Sequence, residues 1–278
     1  MELNIRRSLV QLCATFLYNA NIFMPATGKG IMLPSDSVCV PGLNCQYCRY
    51  SSAGCPLGIT QQALAGNITK VAWTFWGLFV LFGLLLGRMV CGWLCPVGFF
   101  QDLLDKVPFP KIKKSKFTYY LSYLKYIIGA VFVIGLPIYT GYFTPRGLTA
   151  FCASICPGNL MEAVILPNLL RGNWDNLALA LNSSKFVGVM VLIVAMMFIY
   201  RPFCRFICPL GAFYGFFNKF ALLGMKVDGD KCINCNACIR KCKMDVKKVG
   251  DHECIGCGQC VSVCPKNAIN SKNPLIKC

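Results

Sequence analysis

The stretch Arg88–Phe100, RMVCGWLCPVGFF, returns 113 residues later as Arg201–Phe213, RPFCRFICPLGAF. Both read R-x-x-C-x-x-x-C-P-x-G-x-F, and Lys106 and Lys219 keep the same offset. Each copy follows an uncharged apolar run: Val71–Gly87 between Lys70 and Arg88, and Phe186–Tyr200 between Lys185 and Arg201. Both runs fall a little short of the roughly 20 residues a membrane span needs, so their polar neighbours must enter the interface. One such match can be accident. Two at the ends of equivalent apolar runs are a duplication, and they predict parallel repeats related by an axis along the membrane normal.

Two further runs complete this expectation. About Phe117–Tyr139 is apolar beyond Lys125, which sits near one end and is read as snorkelling. Ser8–Phe23 is weaker, because it contains Gln11, Asn19 and Asn21 and follows Arg6-Arg7. Its rival reading is a twin-arginine or secretory signal, but no convincing Ala-x-Ala site follows. Counted together they predict a membrane all-α fold of four transmembrane helices over 1–225, with repeat 1 at about 6–116 and repeat 2 at about 117–225. Six Lys and Arg occupy 88–116, against three each in 24–70 and 140–185, so both termini are expected in the cytoplasm and the two long loops outside. The chain is thereby expected in a prokaryotic inner membrane as a multi-pass protein.

The composition agrees with that picture. Of 278 residues 56% are hydrophobic and only 14% charged, where a soluble domain carries about 25% charge. A net charge of +17 serves as an orientation signal, so nucleic acid need not be invoked. The single histidine, His252, excludes bis-histidine haem ligation, and no G-x-G-x-x-G follows a strand-like run. Twenty cysteines in so apolar a chain point to iron–sulfur chemistry.

After Leu223 the character changes. Cys232-x2-Cys235-x2-Cys238-x3-Cys242 precedes Cys254-x2-Cys257-x2-Cys260-x3-Cys264-Pro265. This is the two-cluster ferredoxin run, in which each fourth cysteine ligates the other cluster. Two [4Fe–4S] clusters are expected, one on Cys232, Cys235, Cys238 and Cys264, the other on Cys254, Cys257, Cys260 and Cys242. Zinc rarely uses two identical runs of this kind, and cytoplasmic thiols stay reduced. Residues 226–278 are thus expected to form a small cytoplasmic α+β two-cluster ferredoxin domain. Ten Lys and Arg against five acids suit it either to an anionic lipid surface or to an acidic electron carrier.

Twofold packing of the repeats brings Cys91 and Cys95 against Cys204 and Cys208, a set of four thiolates for a third cluster near the inner face. A proline after the second cysteine suits a helix start, whose free amides favour an anionic centre. The alternative is buried cysteine acting as a small hydrophobe. The outer loops hold Cys39, Cys45, Cys48, Cys55, Cys152 and Cys156. Among these, Cys45, Cys48, Cys55, Cys152 and Cys156 are candidate ligands of a further outer-face cluster, and disulfides are the competing reading. Cys13 and Cys278 have no partner pattern.

Together, Arg6-Arg7, Cys91-Gly-Trp-Leu-Cys95-Pro, Cys204-Arg-Phe-Ile-Cys208-Pro and the terminal ferredoxin pair resemble the NapH/NosR-type membrane polyferredoxins. The resemblance implies four spans, [4Fe–4S] clusters on the cytoplasmic face, and electron transfer linked to quinol or a redox enzyme. The outer cysteine loops depart from that pattern and favour redox centres at both faces. The expected function is that of an iron–sulfur electron-transfer subunit of a membrane redox complex, without a stand-alone catalytic site. It would relay electrons between a cytoplasmic donor such as ferredoxin and either a membrane quinone or an outer-face partner. A redox sensor or maturation accessory protein is the alternative. A transporter is disfavoured, because acidic residues are scarce within the runs.

Overall fold

The computed structural model describes residues 2–23, 39–48, 51–67, 73–112, 114–144 and 147–272. Cys278 lies outside the described residues, as do Lys70, Val71 and Lys113 of the expected topology. The described chain is helical, apart from one two-stranded sheet.

Helix α1 (Glu2–Tyr18) turns Arg7, Gln11 and Ala14 inward, one helical face, and leaves Ile5, Leu9, Leu12, Phe16 and Leu17 exposed. This is the reverse of a soluble amphipathic helix. Helix α2 (Pro56–Leu64) and the apolar α3 (Trp73–Leu86) lead to α4 (Met89–Trp93) and α5 (Pro96–Asp105), which carry the first repeated motif. Helix α6 (Lys116–Phe143) starts at a capping box between Ser115 and Thr118. It widens to π geometry over Gly129–Gly135, just before Pro137, whose missing N–H breaks the regular ladder. After α7 (Ala150–Ser154) the same device recurs, with π geometry at Asn159–Ile165 ahead of Pro167 in α8 (Leu166–Arg171). Helices α9 (Trp174–Leu181) and α10 (Ser184–Phe198) meet at 68°, and α11 (Pro209–Phe217) follows the second motif.

These lengths correct the four-span expectation. Among the described residues only α6, with 28 residues, is long and apolar enough to cross a membrane, and the bent α9–α10 pair makes a second only if it counts as one span. At 1.5 Å per residue the 14 residues of α3 reach about 21 Å, short of a hydrocarbon core of about 30 Å. Helix α1 stops at 17 residues. Gly87 at φ +51° and Arg201 at φ +49° stand in left-handed backbone where the two motif-bearing runs end. The chain therefore turns sharply into each cysteine motif.

The motifs lie at the centre. Helix α5 packs between α1 and α10, and α11 packs on α3, α2 and the middle of α6. Asp102 of α5 accepts from Arg7 (2.9 Å), Arg201 (2.5 Å) and Tyr200 (3.1 Å), all buried, so one carboxylate ties both repeats to α1. Lys125 is also corrected: it is fully buried, and its Nζ pairs with Glu253 instead of reaching an interface. A buried ammonium needs such a partner.

Strands β1 (Met225–Val227) and β2 (Ile269–Ser271) pair antiparallel, Met225 opposite Ser271 and Val227 opposite Ile269, and so tie together the ends of the cysteine-rich tail. Between them lies α12 (Ala237–Lys241).

Candidate functional site

In each repeated motif the second cysteine is the N-cap of a helix whose first residue is proline: Cys95 for α5 and Cys208 for α11. The sulfur of each then receives a backbone amide three residues on, from Gly98 and from Gly211. All four motif cysteines are buried, and electrostatically each is a neighbour of the others: Cys204 acts on Cys91 and Cys95, and all three act on Cys208. The two arginines cross. Arg88 donates to the Cys204 carbonyl (3.1 Å), and Arg201 donates to the Cys91 carbonyl (2.6 Å). Each repeat is thus clamped by the other. The amide nitrogen of Gln101 points at the Cys204 sulfur (3.0 Å), while its oxygen takes the Phe203 N–H (3.2 Å).

The tail cysteines fall into two groups. Cys232, Cys235, Cys238 and Cys264 line one cavity of about 500 Å³. Cys254, Cys257 and Cys260 are electrostatic neighbours of Cys242 and of one another. The loops that carry them alternate into left-handed backbone at matching places, Asn234 and Asn236 in the first, Gly256 and Gly258 in the second. Such alternation turns successive N–H groups inward, the geometry of an anion-binding nest. It explains why Asn and Gly occupy these positions.

The tail docks on the first motif. Arg88 donates to the His252 carbonyl (2.9 Å) and pairs with Glu253 (2.5 Å), and the indole N–H of Trp93 donates to the Gly256 carbonyl (3.0 Å). Gly92 is required here, since a Cβ would stand 2.4 Å from the Ile255 oxygen. Arg205 bonds Asp245 of the tail through Nε (2.9 Å), and Lys243 pairs with Asp105 (2.5 Å).

Of the outer-loop cysteines, Cys45, Cys55, Cys152 and Cys156 line one small cavity with Gly58 and Asn159. Cys48 is buried in one small cluster with Cys45, against Ala163 and Leu166, and is not among the residues that line that cavity. Cys39 is buried near Tyr214, in a bridge to Gly54. Cys13 is exposed on α1. The loops do not stand a membrane's thickness from the inner motif, as cysteines at opposite faces would. Gly42 touches Cys95, with a Cβ there only 3.1 Å from the Cys95 Cα.

Burial, joined by Cys204, pushes the Cys91 thiol up to about 11, and burial pushes Cys45 and Cys55 up to about 12. So many buried thiols ionise only if a metal centre takes up their charge. Among the described residues no three His, Cys, Asp or Glu converge as ligands of a single ion would. Burial would raise Asp102, but Arg201 and Arg7 outweigh it and hold the carboxyl below its usual range. Glu162, whose carboxylate accepts the Cys45 N–H (2.6 Å), is pushed up to about 7 by burial.

Glutamines 61 and 101, the crossed arginines and Asp102 are site residues that spacing alone did not reveal. Their signal was present, however: C-P-x-G-x-x-Q occurs at 55–61 and again at 95–101.

A helical scaffold with paired cysteine motifs, carrying a docked double-cysteine-run tail, defines a ferredoxin-type iron–sulfur protein. Residues 69–116 and 184–228 match one family model described as a 4Fe-4S binding domain, and 249–270 match another of the same description. An uncharacterized protein of Methanocaldococcus jannaschii is 30% identical over 183 residues, 61% of this chain and 64% of the relative. The methylamine utilization ferredoxin-type protein MauN of Paracoccus denitrificans is 26% identical over 219 residues, 77% and 66% of the two chains. The regulatory protein NosR of Stutzerimonas stutzeri is 26% identical over 184 residues, 65% of this chain and 23% of NosR. These matches place 4Fe-4S binding domains in the chain and make it similar to the ferredoxin-type, NapH/NosR-like polyferredoxins. It spans a little over three fifths of the length of the two Methanocaldococcus jannaschii proteins it matches, 62% and 64%. No solved structure matches it.

Proposed function

We propose that the chain is a membrane-embedded subunit of a prokaryotic redox complex, passing electrons from a cytoplasmic carrier such as ferredoxin toward a membrane quinone or an outer-face partner. Two [4Fe–4S] clusters belong to the tail domain of 226–278, on the two cysteine groups named above. A third belongs to Cys91, Cys95, Cys204 and Cys208. Bound clusters of this class supply reversible one-electron chemistry. The protein's own part is to hold the thiolates, direct N–H groups at their sulfurs and keep water out. The left-handed CxxCxxC loops and the buried, arginine-clamped quartet both fit that task.

The observation that carries this reading is the Arg88 junction. One guanidinium reaches the His252 carbonyl and Glu253 in the tail and the Cys204 carbonyl in the core. The tail cysteines and the inner quartet therefore share a rigid contact. The lysine-rich exposed side of the tail suits an acidic carrier in the cytoplasm. An apolar cavity of about 200 Å³ beside Pro96 and Pro157, lined by Phe100, Met161 and Leu192, favours a lipid-soluble quinone as acceptor.

Anaerobic membranes provide the test. Reduced ferredoxin should reduce added quinone through the wild type. Cys91→Ser/Cys204→Ser should abolish that transfer while both tail signals persist in electron paramagnetic resonance. Transfer that survives the double change would remove the inner quartet from the relay. Cluster reduction without transfer to any acceptor would favour a sensor or maturation role.

A further inference from the structure

We propose that Cys45, Cys55, Cys152 and Cys156 hold a fourth iron–sulfur cluster, built as a copy of the inner quartet and joined to it through the dipeptide Leu43–Asn44. The inference rests on reading the inner quartet as a cluster site.

The first support is a repeated construction. Cys55 caps α2 as Cys95 caps α5, each followed by proline, and each sulfur receives the amide of a glycine three residues on, Gly58 or Gly98. Six residues beyond each cysteine stands a buried glutamine. Gln61 donates to the Leu57 carbonyl (3.2 Å) and to the Cys152 sulfur (3.3 Å), and its oxygen takes the Phe151 N–H (2.9 Å). Gln101 donates to the Val97 carbonyl (3.3 Å) and to the Cys204 sulfur (3.0 Å), and its oxygen takes the Phe203 N–H (3.2 Å). Every contact of one has its counterpart in the other. The facing strand of chain matches too: Phe151-Cys152-x3-Cys156-Pro157 against Phe203-Cys204-x3-Cys208-Pro209. The Cys156 sulfur takes the Gly158 and Asn159 amides as Cys208 takes that of Gly211.

One position differs. Four residues before Cys55 stands Ser51, not cysteine, so the counterpart of Cys91 is absent from the local sequence. Cys45 takes its place from the 39–48 loop, its sulfur facing the Asn159 amide nitrogen (3.6 Å) in the cavity that Cys55, Cys152 and Cys156 line. This identifies which four of the six outer cysteines belong together, and sets Cys39 and Cys48 outside. Lys185 supplies the local positive charge, its Nζ bonded to the Cys152 carbonyl (2.8 Å) and to Asn159 (2.6 Å), much as Arg88 and Arg201 do at the inner quartet.

The second support is the connection. Gly42 lies against Cys95 of the inner quartet, and the next two residues, Leu43 and Asn44, line the cavity of the outer one, their amides facing Cys95 and Cys55 in turn. Consecutive Cα atoms are about 3.8 Å apart, so adjoining peptide units of one short segment face the two quartets. Disulfides would need no sulfur-directed glutamine, no capping amides and no such bridge.

The full chain, prepared anaerobically, carries the test. Cys55→Ser/Cys152→Ser should lose about a quarter of the iron and of the acid-labile sulfide, with the inner-quartet and both tail resonances retained. Cys39→Ser and Cys48→Ser should keep the wild-type content. Full content in the Cys55/Cys152 variant, while Cys91→Ser/Cys204→Ser loses its own share, overturns the fourth cluster and leaves the relay reading intact. Loss of nothing in the Cys91/Cys204 variant removes the relay reading itself. Gln61→Leu keeps all four cysteines, so it covers a failure of the double variant to fold. It should retain its iron and lower the midpoint potential of one resonance alone, and four unmoved resonances overturn the proposal. Mass spectrometry of alkylated wild type should find Cys45, Cys55, Cys152 and Cys156 as thiols after iron removal, and disulfides among them overturn it as well.

Discussion

Gln101 shows what a single neutral side chain does in this molecule. Its N–H reaches the Cys204 sulfur at 3.0 Å in a buried setting, where a hydrogen bond stabilises the more negative, reduced state of a thiolate-bound centre. Removing a bond worth about 1 kcal/mol corresponds to about 40 mV in a one-electron couple. Gln101→Leu should therefore lower the inner-quartet potential by about that much in a redox titration, with unchanged tail potentials. Asp102 acts on stability instead. Asp102→Asn leaves Arg7 and Arg201 buried without their countercharge, at a cost of about 3–5 kcal/mol, visible as a fall in thermal unfolding temperature. Because Arg201 and Arg7 hold the folded carboxyl below the usual aspartate value of about 3.9, the wild type should hold this stability above about pH 4 and lose it as pH falls further. The asparagine variant should lack that acid slope. Cysteine spacing was readable from the sequence because clusters demand it. The glutamines showed only as the repeat of C-P-x-G-x-x-Q, and their role did not, because a glutamine in a helix is ordinary until a sulfur faces it.

At the scale of elements, the decisive contact is between α4 and the Cys254–Cys260 loop. Gly92 and Trp93 form a flat seat for Ile255 and Gly256, and Arg88, Glu253 and Lys125 close it with buried charge. Gly92→Ala drives a Cβ against the Ile255 carbonyl and should cost about 1–3 kcal/mol of docking. Limited proteolysis should then cut the tail near Leu223 several-fold faster, while the iron content stays at the wild-type level. Unchanged cleavage would show that the seat does not hold the tail. The motifs, the duplication and the cysteine-rich tail were all evident in the sequence. Whether each run makes a full span was not, because hydropathy marks an apolar run without fixing the length of straight helix inside it. Nor could Lys125 be assigned a partner, since Glu253 is 128 residues away.

Across the whole molecule, polarity is arranged inside out. The buried set includes Arg7, Arg88, Asp102, Lys125, Arg201, Arg205, Asp245 and Glu253, all engaged in ion pairs, while large apolar side chains lie exposed. Helix α6 alone exposes Phe117, Tyr120, Ile127, Val131, Ile134, Ile138, Tyr142 and Phe143, and α10 exposes Val187, Val191 and Val194. Water would penalise such a surface, at about 25 cal/mol for each Å² of apolar area left uncovered. Lipid would not. The exposed lysines suggest a second mode, attraction to an anionic leaflet, worth about 1 kcal/mol per cation and screened by salt. The two modes separate cleanly. If the apolar belt of α1, α6 and α10 sits in hydrocarbon, isolated membranes should retain the chain through molar salt and alkaline carbonate, and only detergent should release it. Release by salt would mean that charge alone holds the protein to the surface. Ile134→Lys, in the middle of α6, should weaken retention under carbonate by about 2.5–3.5 kcal/mol of insertion free energy. Phe216→Lys, an exposed change on α11 outside α6 and α10, serves as the positional control and should cost less if the belt is confined to the helices named.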